Sequence, residues 1–316
     1  MLFRSPLSDT RLDQFNNDVT VAITGSTSPT IPVDMRNKMA ANIRNEADIE
    51  FEHEFGVCLA GGPLHGSMTS EEDADWLIEW FEINRMFGVT EFYLINANLQ
   101  KSQRIDNILK YYQDQKLVKQ TETFYEHQVL ASNSQEVKIF KSVTLNDCVY
   151  TNMYRYRYIV IIDLDEILVP LNAQTYSNLV QSVDDKRWTS LKVKARAFYM
   201  DFYTPQQQRL ENATLRTTRY LKYVDDIRNK TILNPRNCIA SGSHFCFLQL
   251  PGKHEMFVPQ ARVHHYRHNC YKKEEKESYS KQKCNMYKQQ AKEDRCFETF
   301  HENLENRVKE IRNRVQ

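Results

Sequence analysis

Three acidic side chains follow one apolar run near the middle of the chain. Asp163-Leu-Asp165-Glu166 comes directly after the run Tyr158–Ile162, which indicates a buried strand. On an extended backbone residues i and i+2 face the same way, so we expect Asp163 and Asp165 to converge on one hard cation beyond the strand. Two such carboxylates suit Mg²⁺ or Mn²⁺ bridging a diphosphate. An acidic pair alone is also typical of a solvated turn, and its position after a buried strand is what favours the cation.

The segments around these acidic residues alternate between strand and helix patterns. We predict strands at 55–60, 91–95, 117–121 and 158–162, and helices at 69–86, 102–112 and 134–153. The first helix is predicted to begin with a capping box between Thr69 and Glu72 and to end at Gly88. This alternation predicts an α/β protein with a mainly parallel sheet, helices on both faces, and ligands beyond the carboxyl ends of the strands.

The flanking segments suggest three parts. Residues 1–52 are polar and irregular, and we interpret them as a stem or wrapping segment. Residues 53–271 form the predicted catalytic domain; after Pro170 we expect one strand near 190–199 and otherwise loops. Residues 272–316 are dense in Lys and Glu, which is typical of solvated helices packed on the outside.

The composition describes a folded chain without a strong bulk charge. Hydrophobic residues make up 41% of the 316 residues, and 42 Lys and Arg against 41 Asp and Glu leave a net charge of +1. This balance gives no indication of a nucleic-acid surface. No apolar run approaches the roughly 20 residues that span a bilayer. We therefore expect a globular protein that binds no nucleic acid.

Two features indicate maturation in a secretory compartment, although the first residues lack the pattern of a signal peptide. Asn212-Ala-Thr and Asn229-Lys-Thr are glycosylation sequons, and seven cysteines are many for a reducing compartment. The cysteines form no Cys-x-x-Cys pair, so their spacing shows no zinc motif, and their odd number leaves at least one thiol unpaired within the chain. We expect at least one disulfide, a glycan at Asn212 or Asn229, and a lumenal protein whose membrane anchor lies outside this sequence.

The acidic residues and the strand before them resemble the metal-binding core of glycosyltransferase family 92, which has an apolar strand, Asp-x-Asp-Glu, two or three apolar residues and a Pro. Here the pattern runs from Tyr158 to Pro170. Further elements resemble the family in the same order within residues 55–270: Trp76-Leu-Ile-Glu-Trp80, Phe87-Gly-Val-Thr-Glu-Phe-Tyr93, Asn146-Asp-Cys148, Lys230-Thr-Ile-Leu-Asn-Pro235, His244 and His265-Tyr-Arg267. The set is more specific than any one of its members.

The resemblance implies a GT-A fold, a nucleotide-sugar donor, a divalent metal and inversion at the anomeric carbon. It also implies a Golgi enzyme held by an N-terminal anchor. We therefore expect galactose transfer from UDP-galactose to a glycan acceptor in the Golgi lumen. The segment Phe198–Pro205 departs from the Phe-Gly-Ser type of loop seen in many animal members, and this departure bears on the acceptor and the sugar.

Site roles follow from the same resemblance. The metal, Mn²⁺ or Mg²⁺, is assigned to Asp163, Asp165 and His265. The donor nucleotide is assigned to Asp163, Lys230, His244 and Arg267, with the two basic side chains at its phosphates. Glu166 is expected to fix the loop, and His264 is expected to be a packed, hydrogen-bonded ring.

Inversion requires a carboxylate that deprotonates the acceptor at a point separate from the metal. We nominate Asp201, because it follows the predicted strand near 190–199. Glu211, Asp225 and Glu255 remain alternatives.

Two other functions stay open at this point. A haloacid-dehalogenase-type phosphatase also places Asp-x-Asp after a buried strand, and Asp184-Asp185 or Asp225-Asp226 could supply its later acidic pair. That family prefers Thr or Val where this chain has Ile167. A non-catalytic glycan-binding relative is the other alternative, and the retained Asp-x-Asp and His265 argue against it.

Overall fold

The computed structural model describes residues 20–21, 31–32, 49–97, 99–123, 135–171, 174–185, 187–200, 202, 212–221, 229–267 and 277–315. The chain divides into two units, Met1–Ile49 and Glu50–Gln316. In the first unit, the described residues form one antiparallel pair, β1 (Thr20–Val21) and β2 (Ile31–Pro32).

The first half of the second unit has the predicted alternation of strands and helices. In chain order its elements are β3 (His53–Leu59), β4 (Ser67–Met68), α1 (Glu71–Met86), β5 (Val89–Asn96), β6 (Gln100–Lys101), α2 (Gln103–Asp114), β7 (Val118–Glu122), α3 (Gln135–Asn152) and β8 (Tyr156–Ile162). Strands β8, β3, β5 and β7 lie side by side in that order, and all three pairings are parallel. The carboxyl end of β8 therefore lies beside the carboxyl end of β3.

Local sequence determines where α1 begins and where the chain turns from it into β5. Ser70, rather than the predicted Thr69, caps the helix: its hydroxyl accepts the Asp73 N–H at 3.0 Å, and the Asp73 carboxylate accepts the Ser70 N–H at 3.0 Å. The Thr69–Glu72 box was thus one residue too early, because Asp73 closes the same pair of bonds. Gly88, at φ +108°, turns the chain out of the helix into β5.

The second half is richer in strands than predicted. Its elements are β9 (Glu166–Pro170), α4 (Tyr176–Gln181), β10 (Trp188–Tyr199), α5 (Ala213–Arg216), β11 (Arg219–Tyr220), β12 (Asn229–Leu233), β13 (Cys238–Ser241), β14 (Cys246–Gln249), β15 (His254–Phe257), β16 (Ala261–Arg267), α6 (Glu277–Gln290), β17 (Lys292–Glu293) and α7 (His301–Arg314). The prediction of loops after β10 was therefore wrong. These strands are short and carry charged residues, so their sequences lack a clean apolar alternation.

The central sheet is mixed, which corrects the prediction of a mainly parallel one. Strand β12 pairs antiparallel with both β8 and β10, and β16 lies parallel to β10 but antiparallel to β9. Strand β9 starts only three residues after β8 and pairs with β16 rather than with β8, whereas a parallel connection needs a crossover of a dozen residues or more.

Helices cover both faces of the sheet, as predicted. Alternate residues of β3 enter two different buried clusters: Val57 packs with the α1 and α2 side, whereas Cys58 packs with the α3 side. Cys58 and Cys148 also form a disulfide that ties β3 to α3. These contacts hold the end of β3 against its neighbours.

The charged carboxyl-terminal segment contributes to the core as well as to the surface. Leu304, Val308 and Ile311 of α7 are buried, and α7 packs against α1. Arg307 donates to the fully buried Glu82 at 2.7 Å. No helix of the described ranges is both long and apolar enough to cross a bilayer.

Both glycosylation sequons occupy buried positions. Asn212 is 2% exposed at the start of α5, and Asn229 is 7% exposed in β12. A glycan on either side chain would have to displace the residues packed around it, so the folded structure argues against the predicted glycan at these positions.

Candidate active site

The acidic segment forms a turn rather than a continuation of β8. The Glu166 N–H donates to the Asp163 carbonyl at 3.1 Å, and the Asp163 N–H donates to the Glu166 carboxylate at 3.0 Å. The extended geometry that predicted Asp163 and Asp165 on one face is therefore wrong here. The chain reverses, and β9 starts at Glu166.

Asp163 and Glu166 share the buried ammonium of Lys230. Its Nζ lies 2.5 Å from Asp163 Oδ2 and 2.9 Å from Glu166 Oε2, and the Lys230 side chain is 2% exposed. Burial alone would raise the pKa of Asp163, but the Lys230 charge outweighs it and the pKa is lowered. Burial dominates for Glu166, whose pKa is raised even beside Lys230. The Lys230 pKa is raised because the two carboxylates outweigh its own burial.

His265 completes the group from the neighbouring strand. In the antiparallel pairing of β16 with β9, His265 lies opposite Glu166. Its Nε2–H donates to Asp165 Oδ2 at 3.0 Å, and its Nδ1 lies 3.6 Å from Glu166 Oε1. Asp165, Glu166 and His265 each place one ligand atom within 4.8 Å of the others. Asp163, which pairs with Lys230, is not one of these three.

The His265 ring has one nitrogen whose hydrogen bond is missing. Nδ1 is buried, and it has no hydrogen-bond partner among the described residues. The distance to Glu166 is too long for a hydrogen bond. Although burial would lower the pKa of His265, its bond to Asp165 and the other carboxylate raise it. A nitrogen and two carboxylates at this spacing form a donor set for a divalent cation.

Two tryptophans of α1 hold the acidic turn in place. Trp76 Nε1 donates to the Leu164 carbonyl at 2.7 Å, and Trp80 Nε1 donates to the Glu166 carbonyl at 2.9 Å. Residues four apart share one helix face, so both indoles reach the same turn. Both tryptophans were part of the family resemblance, but neither was assigned a role from the sequence; their i, i+4 spacing was the available signal.

Gly61 leaves room for the Asp163 carboxylate at the end of β3. A Cβ at residue 61 would lie 2.7 Å from Asp163 Oδ1, and the Gly61 N–H hydrogen-bonds the same side chain. Only glycine permits this close approach of backbone to carboxylate.

The turn opens onto a large cleft. Its volume is about 1160 Å³, which exceeds the usual range for a single small ligand. Of the predicted residues, Asp163, Asp165, His265 and Arg267 line the cleft. Residues of α1 and α5 also line the cleft: Asp75, Trp76, Glu79, Ala213 and Arg216.

Glu79 is a buried cleft residue that the sequence did not assign to a role of its own. Its carboxylate accepts the N–H groups of Ala213 and Thr214, each at 2.9 Å, and the Thr214 hydroxyl. Burial raises its pKa despite these bonds. Glu79 therefore fixes the start of α5 against α1.

Other predicted residues lie outside the cleft lining. Lys230 is behind the two carboxylates, and His244 is half-buried with its Nδ1 2.8 Å from the Asn229 carbonyl. Glu255 bonds Ser190 and Lys192, so its carboxylate is already occupied away from the cleft. Asp201, Glu211 and Asp225 fall outside the described residues.

Asn146 and Cys148 of α3 attach neighbouring segments to the sheet on its α3 side. The Asn146 side chain bonds both the N–H and the carbonyl of Ser241, each at 2.8 Å. Cys148 is linked to Cys58, two residues before Ala60. These bonds place the segment that carries His244 beside the end of β3, where Ser243 donates to the Ala60 carbonyl at 2.6 Å.

Comparison with protein families agrees with this arrangement. The family model described as Glycosyltransferase family 92 matches residues 53–312. The chain belongs to glycosyltransferase family 92. The match confirms the resemblance and an enzyme that transfers a sugar from a donor to an acceptor. A search of curated proteins gives no significant match.

Family 92 membership decides between the alternatives for this chain. It supports a transferase rather than a phosphatase or a non-catalytic relative. The geometry agrees, because Asp185 is ion-paired to Arg187 at 2.9 Å and does not line the cleft of this family 92 protein. The other acidic pair, Asp225-Asp226, falls outside the described residues.

Proposed function

We propose that this family 92 enzyme is a metal-dependent, inverting hexosyltransferase that moves galactose from UDP-galactose to a glycan hydroxyl. The observation that supports it best is the cluster of Asp165, Glu166 and His265 at the cleft, with one buried imidazole nitrogen that has no hydrogen-bond partner among the described residues. The fold class we propose is GT-A-like, with the mixed sheet described above.

The residues present fit a divalent cation. One nitrogen and two carboxylates suit Mn²⁺ or Mg²⁺, and Asp165 is 54% exposed and open to the cleft. When bound, the cation would neutralise the charge that develops on a diphosphate leaving group. The observed cluster differs from the predicted ligand set in one respect: Glu166 lies in the cluster, whereas Asp163 is engaged by Lys230.

The chain's own residues position the cluster before substrate arrives. Lys230 holds the carboxylates of Asp163 and Glu166 together. Trp76 and Trp80 fix the backbone carbonyls of Leu164 and Glu166. Asp163, held at the end of β3, is available to the ribose of the donor. Because these groups are fixed in advance, little reorganisation is needed during transfer.

The diphosphate of the donor needs cationic partners. Arg267 and Arg216 line the cleft on two different elements, and guanidinium groups bind phosphate oxygens in a bidentate manner. We propose Arg267 as the phosphate partner, with Arg216 as a second. Phosphate contacts from Lys230 and His244 stay predictions, since neither side chain lines the cleft.

Inversion requires a base on the side of the acceptor. Asp201 remains our proposal. Among the described alternatives, the bonds of Glu255 to Ser190 and Lys192 disfavour it as a base. Glu79 is fully occupied by three donors and is likewise disfavoured.

One incubation tests the proposal. With Mn²⁺, UDP-galactose and a mixed glycan pool, we expect UDP release, a hexose mass added to an acceptor, a β linkage by NMR, and loss of all three with chelator. A panel of other UDP-sugars provides the control for the donor. Transfer that is indifferent to chelator would overturn the metal dependence. A different preferred sugar would overturn the galactose assignment, and an α linkage the inverting mechanism.

We also propose that the protein matures in the secretory pathway and works in the Golgi lumen. The disulfides Cys58–Cys148 and Cys238–Cys246 support an oxidising compartment. Cys296 is a free thiol, as the odd cysteine count predicts. Intact-mass analysis with and without reduction, on protein from a secretory host, should show these disulfides; seven alkylatable thiols without reduction would contradict the proposal.

A further inference from the structure

Three side chains that ligate metals meet at a second place in the fold, away from the cleft. His264 precedes His265 in β16, and consecutive residues of a strand face opposite sides. Asp294 and Cys296 lie between β17 and α7. One ligand atom of each of these three residues lies within 4.8 Å of the others.

The distances between the ligand atoms fit a tetrahedral metal site. His264 Nε2 lies 3.5 Å from Asp294 Oδ2 and 3.8 Å from Cys296 Sγ. Bond lengths to zinc and tetrahedral angles require roughly 3.4 Å between nitrogen and oxygen and roughly 3.6 Å between nitrogen and sulfur. The two distances from His264 are therefore within a few tenths of an ångström of the geometry that one Zn²⁺ ion needs, and the ligand atoms of Asp294 and Cys296 lie within 4.8 Å of each other.

Neighbouring groups orient the three side chains. His264 is 1% exposed, stacks on Phe198, and uses Nδ1 for the Tyr266 hydroxyl at 3.2 Å, which leaves Nε2 facing Asp294 and Cys296. The packed, hydrogen-bonded ring predicted for His264 is thus confirmed. Outer partners of this kind are usual around metal ligands.

The Asp294 carboxylate is held from both sides. Oδ1 accepts the Cys296 N–H at 3.0 Å, and Oδ2 accepts from Arg262. The Arg262 charge opposes a dication, but a carboxylate and a thiolate together offset it. Zinc binds the thiolate form of cysteine, so the Cys296 proton would be released to solvent when a metal binds.

A separate cavity adjoins the cluster. It has a volume of about 370 Å³, and His264, Asp294 and Thr217 are among its lining residues. Thr217 is 1% exposed, and its hydroxyl has no hydrogen-bond partner among the described residues. This cavity offers a polar position for a fourth ligand, either water or that hydroxyl.

We propose that His264, Asp294 and Cys296 bind one Zn²⁺ ion, with the fourth position turned toward the Thr217 cavity. Zinc accepts nitrogen, oxygen and sulfur ligands in one tetrahedral site. The ion would fasten the segment before α7 to β16, one residue from His265. This site is independent of the proposed sugar transfer, and the sequence did not reveal it because its ligands are 30 residues apart and follow no zinc spacing.

Cobalt substitution separates this site from the cleft. Co²⁺ bound through a thiolate gives a charge-transfer band in the near ultraviolet, whereas Asp165, Glu166 and His265 contain no sulfur. Added to the purified, non-reduced protein, Co²⁺ should give this band with an end point of one ion per chain, and Zn²⁺ should remove it. Cys296→Ser should abolish the band, and the matched cleft variant Asp165→Asn should retain it.

Thiol protection tests the proposal without a mutation. The rate at which iodoacetamide alkylates Cys296 in the native protein should fall at least about tenfold with Zn²⁺ and recover with chelator, because bound thiolate is shielded. Circular dichroism checks that Cys296→Ser is folded. Absence of the band together with unchanged alkylation, or a band that survives in Cys296→Ser, would overturn the proposal.

Discussion

Strand β8 has an ionic cluster at each end, and the two clusters differ in how fully their charges are paired. At the amino end, Arg155 donates to both oxygens of Glu91 at 2.8 and 3.0 Å and to Glu52 at 2.9 Å. The Tyr156 hydroxyl also bonds Glu91. At the carboxyl end, the side chains of Asp163 and Glu166 share Lys230, while Asp165 lines the cleft and pairs with His265.

The pKa directions express the same difference. Burial would raise the pKa of Glu91, but its bonds to Arg155 outweigh burial and the pKa is lowered. For Glu166 burial outweighs Lys230, and the pKa is raised. Both carboxylates at the amino end accept from Arg155, which stabilises the fold. At the carboxyl end three carboxylates lie beside one lysine and one histidine at a cleft, which is a place for a cation. Substitutions at each end can test whether the amino end of β8 contributes to stability and the carboxyl end to activity.

The largest expected effect is on stability at the carboxyl end. Lys230→Met leaves Asp163 and Glu166 buried without their shared cation, and we expect a loss of about 3–5 kcal/mol in the free energy of unfolding. Chemical denaturation with disulfides intact measures it. Lys192→Met is the matched control: the Lys192 partner is Glu255 at 3.1 Å, both side chains are partly exposed, and the cost should be about 1 kcal/mol or less. Equal losses in the two variants would contradict the argument.

The next effect is on activity alone. Asp165→Asn removes an exposed carboxylate of the candidate metal cluster, so we expect transfer to fall about 100-fold, close to 3 kcal/mol, with little change in the unfolding midpoint. Calorimetric titration should show weaker, Mn²⁺-independent UDP binding. Asp185→Asn, which alters an ion pair away from the cleft, is the control and should keep full activity. Normal Mn²⁺ dependence in Asp165→Asn would remove Asp165 from the site.

At the amino end the effect should be on stability and should depend on pH. Glu91→Gln breaks the bidentate pair with Arg155, and we expect a loss of about 2 kcal/mol at neutral pH with activity unchanged. Because the folded pKa of Glu91 is below its ordinary value of 4.5, its contribution is complete above that pH and is lost as the pH falls through the folded pKa. The difference between wild type and variant should therefore shrink in acid. A difference that stays constant from neutral pH into acid would contradict this origin.

The two ends of β8 also show what the sequence could predict. The run Tyr158–Ile162 is continuous and apolar, so the strand and the position of the acidic residues after it were predictable, whereas the turn that they form was not. Lys230 and His265 come from strands whose sequences alternate poorly, and their contacts depend on antiparallel pairing that was not predicted. The motif order pointed to both residues, but not to the fact that Lys230 faces the carboxylates rather than the cleft. The sequence thus predicted which residues belong to the site more accurately than it predicted the contacts that each side chain makes.

The smallest expected effect tests the contribution of the indoles. Trp76→Phe keeps an aromatic ring against Tyr266, whose centroid lies 5.0 Å away, but removes the bond to the Leu164 carbonyl. One such bond is worth about 1 kcal/mol, so we expect kcat/KM to fall roughly fivefold and the Mn²⁺ concentration for half-maximal activity to rise, with stability nearly unchanged.

Tyr156→Phe is the matched variant at the amino end of β8. It also removes one buried hydrogen bond, from the Tyr156 hydroxyl to Glu91, but that bond belongs to the fully paired cluster. We expect a loss of about 1 kcal/mol in stability and unchanged kcat/KM and Mn²⁺ dependence. If Trp76→Phe lost only stability, or Tyr156→Phe lost activity, the two ends of β8 would not differ in their contributions to stability and activity. The indole would then be ordinary core, because a residue that positions the metal turn must change the metal requirement and not only the free energy of unfolding.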